Sequence, residues 1–148
     1  MIIDENLINI SLDATNKEDA LNRMCEMAYK AGRLSEAEDY VEKVHLREAQ
    51  VSTDMGHGIA IPHGKSSSVL NPFIIFAKLQ KPIIWNEEEK SNVDIIFMIG
   101  VPEKSDSNVH LKIISQIAGK LMDDDFIGNL RNCDRERKVL DYLTEISV

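Results

Sequence analysis

The spacing of apolar residues changes period several times along the chain, and each change predicts an element. Leu7, Ile8, Ile10 and Leu12 form a short apolar stretch that predicts a strand. Ala20, Leu21, Met24, Cys25, Ala28 and Ala31 then recur at helical spacing, the pattern of a helix buried along one face. Thr15, with Glu18 three positions on, has the form of a capping box, and Gly32 stands where a helix C-terminus favours it. A second helix is predicted from Ser35, with Glu38 three residues later. It carries Val41, Val44 and Leu46 and delivers Arg47 at its C-terminal end.

The glycine-punctuated segment from Met55 to Gly64 has a short apolar centre, Ile59 to Ile61, and reads as loop, short strand, loop. Phe73 to Leu79 and Val93 to Val101 predict two strands. The second is apolar almost throughout, as in a strand covered on both faces. After the polar segment Glu103 to Ser107, a helix is predicted near Asn108, presenting Leu111, Ile114, Ile117, Ala118 and Leu121 on one face. Helical patterns follow at Phe126 to Leu130 and Arg135 to Ile146. With no repeat, linker or break in composition, this order implies one α/β domain over residues 1–148, a sheet layered between helices.

Composition narrows the function more than the fold. No apolar run reaches the ~18–20 residues of a membrane span. The start, Met1-Ile2-Ile3-Asp4-Glu5-Asn6, has no basic region before a long apolar stretch, so the expectation is a cytoplasmic protein without membrane insertion. Cys25 and Cys133 stand apart, in no Cys-x-x-Cys pair, and read as reduced packing residues. A net charge of −8 repels a nucleic-acid backbone, and the basic cluster Arg131, Arg135, Arg137 and Lys138 is diluted by Asp134 and Glu136. No nucleic-acid partner is expected. The runs Glu87-Glu88-Glu89 and Asp123-Asp124-Asp125 read as solvated turns or helix starts, or as an acidic surface that steers a basic protein partner.

Four histidines carry the candidate chemistry. His45 lies in a helix rich in Glu and Lys and reads as a surface or half-buried residue. His57, between two glycines, is either a plain loop residue or a support for His63, six positions on. His110 falls in the first turn of the helix that follows the apolar strand, where a structural role is common. His63 is placed differently. Pro62 fixes its own φ and restricts Ile61, and Gly64 allows the chain to turn straight after the imidazole, so the ring is held at a defined place. A neutral imidazole is nucleophilic near pH 7 and keeps a bound phosphoryl group transferable. Arg47 offers a planar fork of donors, Ser52 and Thr53 offer hydroxyls, and His110 with its helix N-terminus offers a further anion-binding end.

Other motifs fail. Gly56-His57-Gly58 opens like a dinucleotide fingerprint, but Ile61 stands where the third Gly belongs. Neither a Gly-x-x-x-x-Gly-Lys-Ser/Thr loop nor a Gly-x-Ser-x-Gly elbow occurs, which disfavours ATP-driven transfer and serine hydrolysis. A metal site of His57, His63 and His110 remains a minor alternative, since zinc sites seldom use this spacing without Cys or Glu partners.

Arg47-Glu48-Ala49, then Ser52-Thr53, then Gly56-x-Gly58-Ile-Ala-Ile-Pro-His63-Gly64 closely resembles the signature of the fructose/mannitol family of enzyme IIA domains of the bacterial sugar phosphotransferase system (PTS). The resemblance extends over almost the whole chain. Lys81-Pro-Ile-Ile-Trp85 resembles a turn of that family, and Val109-His110-Leu111-Lys112 its second histidine motif. The resemblance implies a mixed β-sheet flanked by helices on both sides. It implies that His63 takes a phosphoryl group, on Nε2, from the histidine-phosphocarrier protein and passes it to a cysteine of enzyme IIB. Arg47 and His110 would bind the phosphate, assisted by Ser52, Thr53 and Gly64, with no metal or cofactor. The motif leans towards fructose uptake; the alternative within the same fold is a nitrogen-related regulatory enzyme IIA. Asp54 and His57 depart from the family's more frequent Gly and Asn, so a supporting role beside the phosphate is assigned to both as an expectation.

Overall fold

The computed structural model describes residues 1–106 and 108–147, so Ser107, in the predicted polar segment, and Val148 lie outside the described residues. A 3₁₀ turn, Glu5–Leu7, leads into β1 (Ile8–Leu12). The first helix, α1 (Lys17–Lys30), buries the predicted stripe of Ala20, Leu21, Met24, Cys25 and Ala28. Its cap differs from the predicted one. Asn16 accepts the Asp19 N–H at 2.8 Å, and Asp19 reaches back to the Thr15 N–H at 3.0 Å. The capping logic survives one residue along, because Asn caps as well as Ser or Thr. The second helix, α2 (Glu38–Gln50), starts later than Ser35. Ser35 is drawn off by a tertiary partner, its N–H donating to the Ser68 carbonyl at 2.8 Å. The face that α2 buries is Tyr40, Val44 and Glu48, while Leu46 points to solvent.

The segment expected to be mostly loop contains three short strands. The hairpin of β2 (Asp54–Gly56) and β3 (Ile59–Ala60) is antiparallel, and β4 (His63–Ser66) follows. His-Gly-Lys-Ser carries no apolar residue, so β4 left no trace in the hydrophobic pattern. It is recognised only by its pairing with β6, parallel from His63 opposite Ile99 to Ser66 opposite Pro102. The long hairpin of β5 (Phe73–Asn86) and β6 (Ser91–Pro102) forms the centre. β5 continues well past Leu79, so Lys81-Pro-Ile-Ile-Trp85 is strand and not the expected turn. The pairing slips between Lys78 and Ile83, around Pro82, which cannot donate to a ladder. The actual turn holds Glu87-Glu88-Glu89.

The sheet runs in the order β1-β5-β6-β3-β2, with β4 continuing on β6 beyond β3. β1 is parallel to β5, β5 antiparallel to β6, and β3 and β4 parallel to β6, so the sheet of six strands is mixed. Ile95 to Ile99 are buried without interruption, as the apolar run predicted for a strand covered on both faces. α1 and α2 pack together on one side, against β5 and β4; α3 (Val109–Leu121), α4 (Asp124–Asn132) and α5 (Glu136–Leu143) form the other layer, against β6 and β1. The buried face of α3 is Ile113 and Ile117, with Ile114 and Leu121 at its margin; Leu111, predicted on that face, is 53% exposed. Asp123 caps α4 by accepting the Asp125 N–H, so this acidic run is a helix start. Cys25 and Cys133 are both buried thiols, and burial pushes Cys25 up to about 12. Among the described residues no helix is long and apolar enough to cross a membrane.

Candidate functional site

β4 determines where the chemistry sits. Alternation along the strand turns Gly64 and Ser66 into the α2 layer and leaves His63 and Lys65 half-buried on the opposite face. Gly64 is needed for close approach: a Cβ there would stand 3.0 Å from Val44 Cγ2 and 3.2 Å from Tyr40 Cε1. This corrects its expected role in a sharp turn, since Gly64 lies within a strand and its φ is not positive. Tyr40 braces the same region, donating its hydroxyl to the Ile99 carbonyl at 2.8 Å.

His63 is held by its own neighbours. Nδ1 lies 3.1 Å from the Ile61 carbonyl, which can only accept, so the proton of the neutral ring is on Nδ1 and Nε2 keeps its lone pair. His110, in the first turn of α3, stacks beside it, with ring centroids 5.8 Å apart and planes 21° apart. Burial lowers the His63 pKa, the Ile61 bond opposes this, and the charge of Arg47 and the nearby His110 lower it further. His110 is also lowered, by burial and then by Lys65 and Arg47. Among the described residues its Nδ1 is buried with no hydrogen-bond partner, so a neutral ring with its proton on Nε2 avoids the desolvation of an unpaired N–H. The result is two neutral imidazoles between fixed cations. One offers a lone pair, the other an N–H donor, and the surrounding charge suits an anion.

Arg47, in the last turn of α2, donates from Nη1 to the Val51 carbonyl at 2.8 Å, and its charge acts on both His63 and His110. Ser52 Oγ is half-buried and accepts the Asp54 N–H at 3.2 Å. Thr53 is turned inward: its hydroxyl donates to Glu48 Oε1 and its N–H to Glu48 Oε2 at 2.8 Å. Its one hydroxyl proton is already committed, which corrects the expectation that Thr53 donates to a phosphate.

His57 lies outside this centre, and Asp54 is engaged with the hairpin that carries it. Asp54 Oδ1 accepts the Gly56 N–H at 2.8 Å and so organises the β2–β3 hairpin. His57 sits at the tip of that hairpin with φ 58°, exposed. Its carbonyl is gripped by Arg131 Nη2, which also bonds Asp94 Oδ1 at 2.8 Å. Gly58, next to His57, meets β6 at Asp94 and His63 meets it at Ile99, five residues apart, so the two points of attachment lie about 16 Å apart along the sheet. Among the described residues neither side chain bonds His63, whose Nδ1 partner is the Ile61 carbonyl. His45 is engaged elsewhere, with Nε2 2.8 Å from Asn22 Oδ1. Among the described residues no three His, Cys, Asp or Glu side chains converge as a metal ion would require.

Sequence reasoning missed two residues. Lys65 shares the His63 face only because β4 is a strand, which the pattern concealed. Glu48 had a signal: it continues the four-residue spacing of Tyr40 and Val44, which places it on the buried stripe of α2.

Comparison with known families matches residues 1–146 to the phosphoenolpyruvate-dependent sugar phosphotransferase system, EIIA 2. The chain is 29% identical over 144 residues to the PTS system fructose-specific EIIABC component of Bacillus subtilis (strain 168), covering 97% of this chain and 22% of that relative. It thus spans about a fifth of that longer protein. Among solved structures, the nitrogen regulatory protein IIA-Ntr of Neisseria meningitidis superposes with a TM-score of 0.85 at 25% identity, covering 96% of both chains. Enzyme IIAMTL, solved in complex with phosphorylated enzyme IIBMTL from Escherichia coli, matches with a TM-score of 0.82 at 25% identity, covering 97% of both chains.

Proposed function

Since the chain belongs to the phosphoenolpyruvate-dependent sugar phosphotransferase system EIIA 2 family, we propose that it is a cytoplasmic phosphocarrier in which His63 takes a phosphoryl group from the histidine-phosphocarrier protein and passes it to enzyme IIB for fructose-type sugar uptake. Nε2 of His63 attacks the phosphorus of the donor's phosphohistidine. The new N–P bond forms as the donor's breaks, and the electron pair of the old bond returns to the donor imidazole. In the onward step a cysteine thiolate of enzyme IIB attacks the same phosphorus, and the electron pair returns to Nε2.

Arg47 and the Nε2–H of His110 hold the phosphoryl oxygens, each such charge-assisted bond contributing ~1.5–3 kcal/mol. Ser52 is a further donor, its hydroxyl oxygen only accepting from Asp54. The observation that carries this reading is the Nδ1 contact of His63 with the Ile61 carbonyl beside the stacked His110, which leaves one nucleophilic nitrogen next to one donor. The fructose assignment is supported by the similarity to the fructose-specific relative.

The test is intact-mass spectrometry after incubation with phosphoenolpyruvate, enzyme I and the histidine-phosphocarrier protein. One acid-labile phosphate on the wild type and on His110→Ala, but none on His63→Ala, is expected; no phosphate on the wild type would overturn the carrier role. The similarity to IIA-Ntr favours a second reading, in which phosphorylation of the same histidine controls bound target proteins. Transfer from the phosphorylated chain to a fructose-type enzyme IIB separates the two, since the regulatory reading expects none.

A further inference from the structure

Ile61 and Pro62 lie in the gap between β3 and β4, so Ile61, whose carbonyl holds His63 Nδ1, belongs to neither strand. Two bonds aim it. Downstream, the Pro62 carbonyl accepts the Ile99 N–H at 3.0 Å, which ties the segment to β6. Upstream, the Ile61 N–H donates to the Thr53 carbonyl at 3.0 Å. Thr53 is itself outside any strand and is held by the buried Glu48, through both its N–H and its hydroxyl.

Glu48 is only 7% exposed. A carboxylate at that depth needs partners, and it has three: the two donors of Thr53 and Lys17, whose Nζ is 3.6 Å from Oε2. Lys17 in turn lies 5.1 Å from the centre of the Trp85 ring, which keeps it over the β5 end of the sheet. A neutral apolar residue of similar size would fill the space but leave both Thr53 donors unmade. The position therefore calls for a polar group that accepts the Thr53 N–H and pairs with its hydroxyl, and its output is the place of Thr53.

We propose that Glu48 is a positioning residue for His63, acting through the chain Glu48, Thr53, Ile61, His63 to keep the imidazole proton on Nδ1 and the lone pair on Nε2. The proposal rests on the phosphocarrier reading for its kinetic consequence. Its structural consequence, the tautomer, stands independently of any donor.

The test uses the full chain, with Glu48→Gln as the variant. Gln keeps the volume, and its one oxygen can hold the Thr53 N–H, but its amide N–H₂ must turn the hydroxyl bond round and the charge that Lys17 faces is lost, so the hold on Thr53 is re-aimed. Ring-nitrogen NMR shifts report the His63 tautomer in the unphosphorylated protein. The wild type is expected in the Nδ1–H form, and Glu48→Gln as a mixture of tautomers. With the phosphorylated histidine-phosphocarrier protein as donor, the transfer rate of Glu48→Gln should fall roughly tenfold, with KM for the donor unchanged, because the ring is misplaced while the docking surface is not.

An unchanged tautomer in folded Glu48→Gln would overturn the proposal, as would a loss expressed in KM alone. Should Glu48→Gln fail to fold, Thr53→Val removes only the hydroxyl bond. It is expected to shift the tautomer in the same direction, and no shift there would overturn the proposal equally. A wild type that shows the Nδ1–H form but accepts no phosphate would sink the phosphocarrier reading alone.

Discussion

His57 and His63 are six residues apart, both beside glycine, in one segment that the hydrophobic pattern reads as little more than loop; their surroundings have almost nothing in common. His57 rides the tip of a hairpin with φ 58°, its ring exposed, and among the described residues the one group that grips it is Arg131, at its carbonyl. His63 opens a strand on the central β6, with its ring half-buried, one nitrogen bonded to Ile61 and another imidazole stacked alongside. Flanking glycines make a histidine conformationally free, whereas reactivity needs the reverse: a ring whose proton, lone pair and neighbouring charges are assigned by partners. The hairpin tip is held by its backbone, and the site is held by its side chain.

The sharpest way to break this comparison is to exchange the losses. His63→Ala is expected to abolish phosphoryl uptake and His57→Ala to leave it unchanged, as read by intact mass with the charged donor. Equal loss in both variants would mean that the two ends of the segment act together. A smaller effect should separate the cations and donors around His63 from those around His57. Arg47→Ala or His110→Ala should slow uptake by roughly ten- to a hundredfold, the kinetic equivalent of one charge-assisted bond. Arg131→Ala, at the hairpin, should raise amide exchange at residues 56–58 and leave the uptake rate intact.

The glycines sharpen the contrast further, because each is needed for a different reason. Gly58 has φ +81°, and a Cβ there would lie 2.6 Å from Asp94 Oδ1, whereas Gly64 has an ordinary φ and is confined by Val44 and Tyr40. Each Gly→Ala variant should lose about 1–3 kcal/mol of stability by thermal or urea unfolding. Gly64→Ala alone should also slow uptake, because the strand that must shift carries His63.

The smallest effect is one of pH. His63 and His110 are both lowered in the folded state, chiefly by burial, while an unfolded histidine titrates near ~6.5. Between the folded values and ~6.5 the unfolded chain binds more protons, so stability falls as pH drops through that window and this source of loss ends below the folded values. The melting temperature should therefore decline on mild acidification, less steeply in His63→Ala. Phosphoryl uptake should hold to a lower pH than an ordinary histidine would allow, because Nε2 stays unprotonated.

Long periodic elements were legible from the chain alone. The α1 stripe, the apolar run of β6 and the amphipathic patterns of α4 and α5 all express burial directly, one residue type per position. The site was legible in part: Arg47, His63 and His110 stand in a motif whose likeness to a known family covers nearly the whole chain. The misreadings share a cause. Ser35 looked like a helix cap until Ser68 claimed it. Thr53 looked like a phosphate ligand until its hydroxyl proved to donate to Glu48. Gly64 looked like a turn and proved to be a contact, and Leu111 looked buried and proved exposed.

The sequence by itself determined the class of fold, the order of its principal elements and the motif around His63, because periodicity and motif are local properties of a chain. Only the tertiary structure decided that His-Gly-Lys-Ser is a strand, that His110 rather than His57 stands beside His63, and that a buried carboxylate on α2 holds Thr53, whose carbonyl takes the Ile61 N–H. Each of those depends on which groups from distant segments compete for the same hydrogen bond or the same space, and that competition exists only once the sheet has brought them together.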